Sequence, residues 1–257
     1  MLRAENITYS VGSKRLLEQV SITFFPGKLN LIIGPNGAGK STLIKILSNQ
    51  LKAENGAVFY DKENIRQKSV AELACIRSVL SQNIELAFPL RVQEVVMMGR
   101  YPHFSGDASE KDYAACEEAM IFFDVKRLAD QNYMTLSGGE KQRTQFARVA
   151  AQIWYPIKGK FRYLLLDEPL TSLDIHYQFD FMQKSLELLK AKDLVIVAVV
   201  HDLNLAAKFA DYLVLMNQGR IMSSGGKEDV LSKENIKAAY GMEPIIRKEG
   251  NQFYLLF

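Results

Sequence analysis

The chain has 257 residues, 48% of them hydrophobic and 24% charged, with a formal net charge of +3. This is the composition of an ordinary globular protein, long enough for one large α/β domain or a domain with an inserted lobe. The mild, interspersed charge excludes a nucleic-acid footprint, and the longest strongly apolar run, Leu194 to Val200, is too short to span a bilayer, so any membrane role must be peripheral.

The first residues, Met1 to Asn6, lack the apolar core of a signal peptide. Alternation at Leu2, Ala4, Ile7, Tyr9 and Val11, a turn at Gly12-Ser-Lys and a second run from Leu16 to Phe25 predict antiparallel strands. Lys28 to Ile33 reads as a buried strand, Thr42 to Asn49 as a helix, and Gly56 to Tyr60 as a short strand. Ile76 to Gln82 reads as a core strand ending at a glutamine. From about residue 83 to 155 the pattern turns helical, with Val92–Met98 and Glu110–Phe123 as helices; Cys75 and Cys116 lack metal-ligand spacing and read as two reduced thiols. Core strands return at Tyr163–Glu168 and Leu194–Val200, alternating with helical stretches as a largely parallel sheet requires. Asn217-Gln-Gly219 between two apolar runs predicts a hairpin, and the short tail is expected to pack on the domain. The expected architecture is α/β, with a core over about 1–82 and 156–257, an antiparallel N-terminal part and a helical subdomain over about 83–155.

Gly34, Pro35, Asn36, Gly37, Ala38, Gly39, Lys40, Ser41 and Thr42 fit Gly-x-x-x-x-Gly-Lys-Ser/Thr. Between a strand and a helix this pattern builds a loop whose backbone N–H groups converge on phosphate. Lys40 reaches the β- and γ-phosphates, and the Ser41 hydroxyl can hold Mg²⁺. Asp167 stands where an apolar strand ends, suited to organising Mg²⁺, and Glu168 follows, placed to polarise an attacking water. In Leu136-Ser137-Gly138-Gly139-Glu140 the serine and glutamate read as a capping box, while the two glycines leave N–H groups open at a helix start. That is a second phosphate-binding element, as expected of a dimer that sandwiches ATP.

On these residues the chain resembles the ATP-binding subunit of an ABC transporter. Leu136–Glu140 matches that family's signature motif. Gln82 matches its Q-loop, which touches the metal and the transmembrane partner. Ser172, Leu173 and Asp174 match its D-loop, and His201 after a strand matches its switch histidine at the γ-phosphate. His103 and His176 read as surface residues. The matching motifs stand in family order and span nearly the whole chain. The resemblance implies a P-loop fold, ATP and Mg²⁺, and a head-to-tail homodimer in which each signature completes the partner's site. It also implies two transmembrane permease subunits, a periplasmic binding protein acting through them, and a place on the cytoplasmic face of the inner membrane. One departure concerns adenine, which the family stacks on an aromatic residue just before the glycine of the first hairpin. Here that place is Val11, with Tyr9 two residues earlier, and Tyr9 equally suits the sheet core.

The segment from Phe88 to Phe104 is the expected receiver of a short permease helix. Within the family, Val95 to His103, Tyr133 to Trp154, the loop Tyr155–Phe161 and Ala239–Met242 resemble importers of metal chelates, most of all those of haem. Cobalamin and ferric siderophores remain alternative cargoes. A soluble ATPase of iron–sulfur cluster assembly remains an alternative of another class.

Overall fold

The computed structural model describes residues 1–81, 89–171, 173–191, 193–250 and 252–257. The strands are β1 (Leu2–Val11), β2 (Lys14–Phe24), β3 (Leu29–Ile33), β4 (Asn55–Tyr60), β5 (Glu63–Asn64), β6 (Arg77–Leu80), β7 (Arg162–Leu166), β8 (Leu194–Val199), β9 (Tyr212–Asn217), β10 (Arg220–Gly225), β11 (Ile245–Glu249) and β12 (Gln252–Leu256). The α-helices are α1 (Lys40–Leu47), α2 (Val70–Ile76), α3 (Val92–Met97), α4 (Glu110–Phe122), α5 (Gly138–Gln152), α6 (Ile175–Ala191), α7 (Leu203–Phe209), α8 (Lys227–Val230) and α9 (Lys233–Tyr240).

Two compact units divide the chain. The first comprises Met1–Lys68, Leu166–Glu168 and Val195–Phe257. At its centre β3 pairs in parallel with β8 on one side (Leu29 with Ile196) and β9 on the other (Asn30 with Tyr212). All five residues of β3 and all six of β8 are buried, the continuous apolar pattern of parallel strands covered on both faces. Asn30 is the polar exception, fully buried and satisfied: its amide donates to Phe25, Lys28 and Ile196 carbonyls at 2.9–3.0 Å. The Asn217–Arg220 turn joins β9 to antiparallel β10, with Gln218 and Gly219 both at positive φ, as the two-residue hairpin turn demands. A separate antiparallel sheet, in the order β2-β1-β4-β5, contains the predicted N-terminal hairpin. The tail adds α8, α9 and the β11–β12 hairpin.

The second unit comprises Ser69–Leu165 and Pro169–Leu194. It holds α2 to α6, and β6 lies next to β7 in their sheet. The expected strand over Ile76–Gln82 needs correction at its start. Ile76 ends α2, which Ser69 and Glu72 begin with a reciprocal capping box, and the strand runs only from Arg77 to Leu80.

The stretch Gly99-Arg-Tyr-Pro-His103 packs on the C-terminal end of α5. A Cβ on Gly99 would lie 2.2 Å from the Arg148 carbonyl oxygen, so only glycine permits this approach. The buried Arg100 guanidinium pairs with Asp112 at 2.9 Å and donates to the Ala151 carbonyl at 2.8 Å, satisfying a helix-end acceptor. His103 is half-buried, its Nε2 2.6 Å from the Gln152 carbonyl, rather than a plain surface residue. The Gln152 amide donates to the Ala74 and Arg77 carbonyls and accepts from Ser78. One helix end is thus tied to both α2 and β6.

Candidate functional site

In the first unit the loop between β3 and α1 brings Gly34–Thr42 to the end of the parallel strands. Gly34 has φ 149°, and a Cβ there would lie 2.1 Å from the Met216 backbone oxygen on β9. Gly39 is the N-cap of α1 at φ 96°, with no side-chain cap, and a Cβ there would meet the Leu16 carbonyl at 2.7 Å. Both positions demand glycine for conformation and for space. The α1 start therefore presents uncapped N–H groups, the anion-binding arrangement the sequence pattern implies.

Lys40 is 5% exposed and donates from Nζ to the Gly34 and Pro35 carbonyls at 2.8 and 2.9 Å. Burial lowers its pKa, with the nearby Glu168 and Asp167 carboxylates opposing that shift. Its ammonium is held by loop carbonyls and sits where a polyanion would relieve its desolvation.

Ser41 donates to Asp167 Oδ1 at 2.8 Å. Asp167 is 4% exposed, and burial raises its pKa; Glu168 adds to the rise while the Ser41 hydrogen bond opposes it. A buried carboxylate beside a hydroxyl forms a hard-oxygen pair of the kind that suits Mg²⁺. Glu168 lies just beyond β7 in the left-handed region at φ 51°, a conformation costing a non-glycine residue about 1–3 kcal/mol. Its Oε1 lies 2.8 Å from His201 Nε2, and the His201 side chain is 41% exposed. Lys40, Ser41, Asp167, Glu168 and His201 all belong to one unit, so the expected phosphate, metal and water-orienting groups are brought together there.

The second unit carries the signature. Ser137 Oγ accepts from the Glu140 N–H at 3.4 Å while the Glu140 carboxylate accepts from Ser137, so the capping box is present. The Ser137 hydroxyl leads the contacts that hold the Glu140 carboxyl below its ordinary pKa. A Cβ on Gly138 would meet nothing within 4 Å, so the helix start faces open space. Leu136 is buried. Leu173 is buried too, and Asp174 caps α6 by accepting from the Tyr177 N–H at 3.0 Å. Gln82 and Ser172 lie outside the described residues.

Tyr9 is half-buried, opposite Leu17 in β2, whereas Val11 is exposed at the hairpin tip. A groove of about 410 Å³ runs between α3 and α4, lined by Met97, Tyr101, Tyr113, Cys116 and Met120 among others. Burial pushes the Cys116 thiol up to about 12, which makes it inert.

Two further contacts, one made by Gln142 and Arg143 and one by Tyr240, are not marked by the sequence pattern. Gln142, one turn into α5, donates to the Pro169 carbonyl at 2.7 Å, and Arg143 packs over the Tyr177 ring at 4.1 Å; together they fasten the signature helix to the start of α6. Tyr240 ends α9 with its hydroxyl buried near the Gly34 backbone, and burial pushes the phenol up to about 12. Only the capping pattern around Ser137 hinted at the first, and nothing local hinted at the second.

No described helix is long and apolar enough to cross a membrane. A family model described as ABC transporter matches residues 17–171. The chain is 42% identical over 248 residues to the hemin import ATP-binding protein HmuV of Gloeobacter violaceus, covering 96% of this chain and 90% of that protein. It is 43% identical to HmuV of Agrobacterium fabrum, covering 96% and 93% respectively. A dimeric bacterial ABC transporter cassette of known structure matches with a TM-score of 0.76 at 25% identity, covering 88% of this chain and 99% of that one. With the phosphate loop, the strand-end acidic pair, the histidine and the signature helix in place, these matches put the chain in the ABC transporter family.

Proposed function

We propose that the chain is the ATP-hydrolysing subunit of an importer that carries haem (hemin), acting as a homodimer beneath two permease subunits. The observation that carries the hydrolytic part is the Glu168–His201 contact of 2.8 Å, in the unit that also joins Ser41 to Asp167. Lys40 and the loop N–H groups bind the triphosphate. Ser41 and Asp167 would hold Mg²⁺, joined by Gln82 as the family resemblance implies, and the ion would supply charge neutralisation to the bound triphosphate. Glu168 accepts the proton of the attacking water as its oxygen bonds to the γ-phosphorus and the bond to ADP breaks. His201 keeps the Glu168 carboxylate in place and contacts the γ-phosphate. Ser137, Gly138 and Gly139 complete the site from the second copy, with Leu136 and Glu140 shaping that helix start and Leu173 lying beside Gly139. Tyr9 or Val11 rests against adenine.

ATP stabilises the closed dimer, and hydrolysis with phosphate release reopens it; the difference in affinity drives the motion. The groove between α3 and α4 sets Met97, Tyr101 and Met120 among Gln93, Glu94, Glu117 and Lys126, which suits a short permease helix with apolar anchors and a polar edge. On this reading the chain sits peripherally on the cytoplasmic face of the inner membrane. A periplasmic binding protein then selects cargo together with the permease. The haem assignment rests on the 42–43% identity to hemin import relatives.

Two measurements test the proposal. Glu168→Gln is expected to bind ATP, form a stable dimer and lose turnover by about 10²–10⁴-fold. Wild-type turnover in that variant would overturn the hydrolytic assignment. ATP-driven uptake of haem by vesicles containing the permease tests the cargo; uptake of cobalamin or a ferric siderophore instead would overturn haem and leave the ATPase standing.

A further inference from the structure

His201 is substantially exposed, so packing alone does not fix its ring against Glu168. The backbone behind it must be held instead. Asp202, the next residue, caps α7 by accepting from the Asn204 and Leu205 N–H groups at 2.7 and 3.0 Å. The Asn204 side chain faces a different part of the chain. Its Nδ2 donates to the Leu255 carbonyl at 3.1 Å, and its Oδ1 accepts from the Leu255 N–H at 2.8 Å. The amide thus presents one donor and one acceptor to β12, as a neighbouring strand residue would. Both partners are backbone atoms of fixed character, so the amide orientation is determined.

The hairpin that supplies Leu255 is itself anchored. Ile246 pairs with Leu255 across β11 and β12. Phe253 and Leu255 are buried while Tyr254 and Leu256 are exposed, so β12 lays one face on the unit. Leu255 in β12 therefore grips Asn204 in the first turn of α7, 51 positions earlier in the chain and three residues after His201.

We propose that Asn204 is a positioning residue for hydrolysis: through Leu255 it ties the C-terminal hairpin to the start of α7 and keeps His201 on Glu168. The proposal rests on Glu168 and His201 being the hydrolytic pair. It implies that the last dozen residues set the turnover rate without contacting nucleotide. Among the described residues, the Asn204 side chain bonds to Leu255 and not to the Gly34–Lys40 loop, so ATP binding is left alone.

The test is ATP hydrolysis by the full-length chain, in steady state and in single turnover. The variants are Asn204→Ala, Asn204→Asp, His201→Ala and the double variant His201→Ala/Asn204→Ala. Displacing a positioned group slightly is expected to lower kcat about ten- to a hundredfold in Asn204→Ala. The KM for ATP stays within about twofold, because uniform binding is untouched. Added to His201→Ala, Asn204→Ala costs nothing further, because it acts through that ring. Asn204→Asp keeps the bond from the Leu255 N–H and gives the same split between kcat and KM at a smaller loss; it carries the comparison if the alanine variant does not fold. An unchanged kcat, a KM that rises with the loss, or a penalty that multiplies in full on His201→Ala would overturn the proposal. Undiminished turnover in both Glu168→Gln and His201→Ala would be a different failure, that of the hydrolytic pair itself.

Discussion

Two buried charges at the site are held against their preferences. Burial lowers Lys40 and raises Asp167, so each charged form carries a desolvation cost in the folded protein. For Asp167 the sign follows from linkage. A raised folded pKa favours the protonated carboxyl, so stability is fullest below the unfolded pKa and is lost as pH rises through the folded one. Asp167→Asn keeps an acceptor for Ser41 and removes the buried charge. Its melting temperature without nucleotide is expected to exceed that of the wild type at pH 7.5, and the gap should shrink as pH falls toward the carboxylate range. The further rise in melting temperature on adding ATP with Mg²⁺ should be lost. Calorimetry across pH checks both. Gly34→Ala meets a backbone oxygen 2.1 Å from the new Cβ and an unfavourable φ. It is expected to cost about 3 kcal/mol or more in urea unfolding and to abolish ATP binding.

Among the elements, α5 does two jobs. Its N-terminus carries the signature, and its C-terminus is the anchor point for Arg100, His103 and the Gln152 amide. Gly99, Arg100 and His103, within the stretch that resembles one importer branch, are spent on this packing. Ala239–Met242 likewise supplies the Tyr240 phenol near Gly34 and a left-handed helix stop at Gly241. Neither stretch offers chemistry to a cargo. Asp112→Ala would leave the Arg100 guanidinium buried and uncompensated, at an expected cost of about 3–5 kcal/mol by denaturant unfolding. Burial pushes the Asp112 carboxyl up, but Ser109 and then Arg100 outweigh it and hold it below the ordinary range. The stability it supplies is present above the ordinary aspartate pKa and lost as pH falls below it.

For the whole molecule, the proposed dimer predicts complementation. Lys40→Ala and Gly138→Asp should each be inactive alone, the first lacking its phosphate clamp and the second blocking the open helix start. Mixed under ATP-binding conditions, the two variants should recover part of the wild-type turnover. A mixed dimer holds one site with an intact loop from one chain and an intact signature from the other. No recovery, measured as phosphate release against mixing ratio, would show that signature and loop act within one chain. Glycine-rich loops at helix starts carry this logic because their donors are backbone groups and can serve a ligand held by another subunit.

The sequence by itself determined the nucleotide-binding character. Gly34 to Thr42 between an apolar strand and a helix, and Asp167–Glu168 after another, are local patterns whose geometry follows from backbone sterics and short-range hydrogen bonds. It also marked most strands, because buried parallel strands are written as unbroken apolar runs. Some features escaped it. The strand pattern starting at Ile76 takes in the last residue of helix α2, since a short apolar run does not reveal its period. The C-terminal hairpin and the approach of Tyr240 to Gly34 left no local trace, and the grip of Gln142 on Pro169 left only the capping pattern at Ser137. Each joins groups far apart in the chain or depends on a turn direction that sequence spacing does not encode. Only the tertiary structure decided that Asn204 meets Leu255, because a side-chain amide finds a backbone edge only after β12 has been laid against α7.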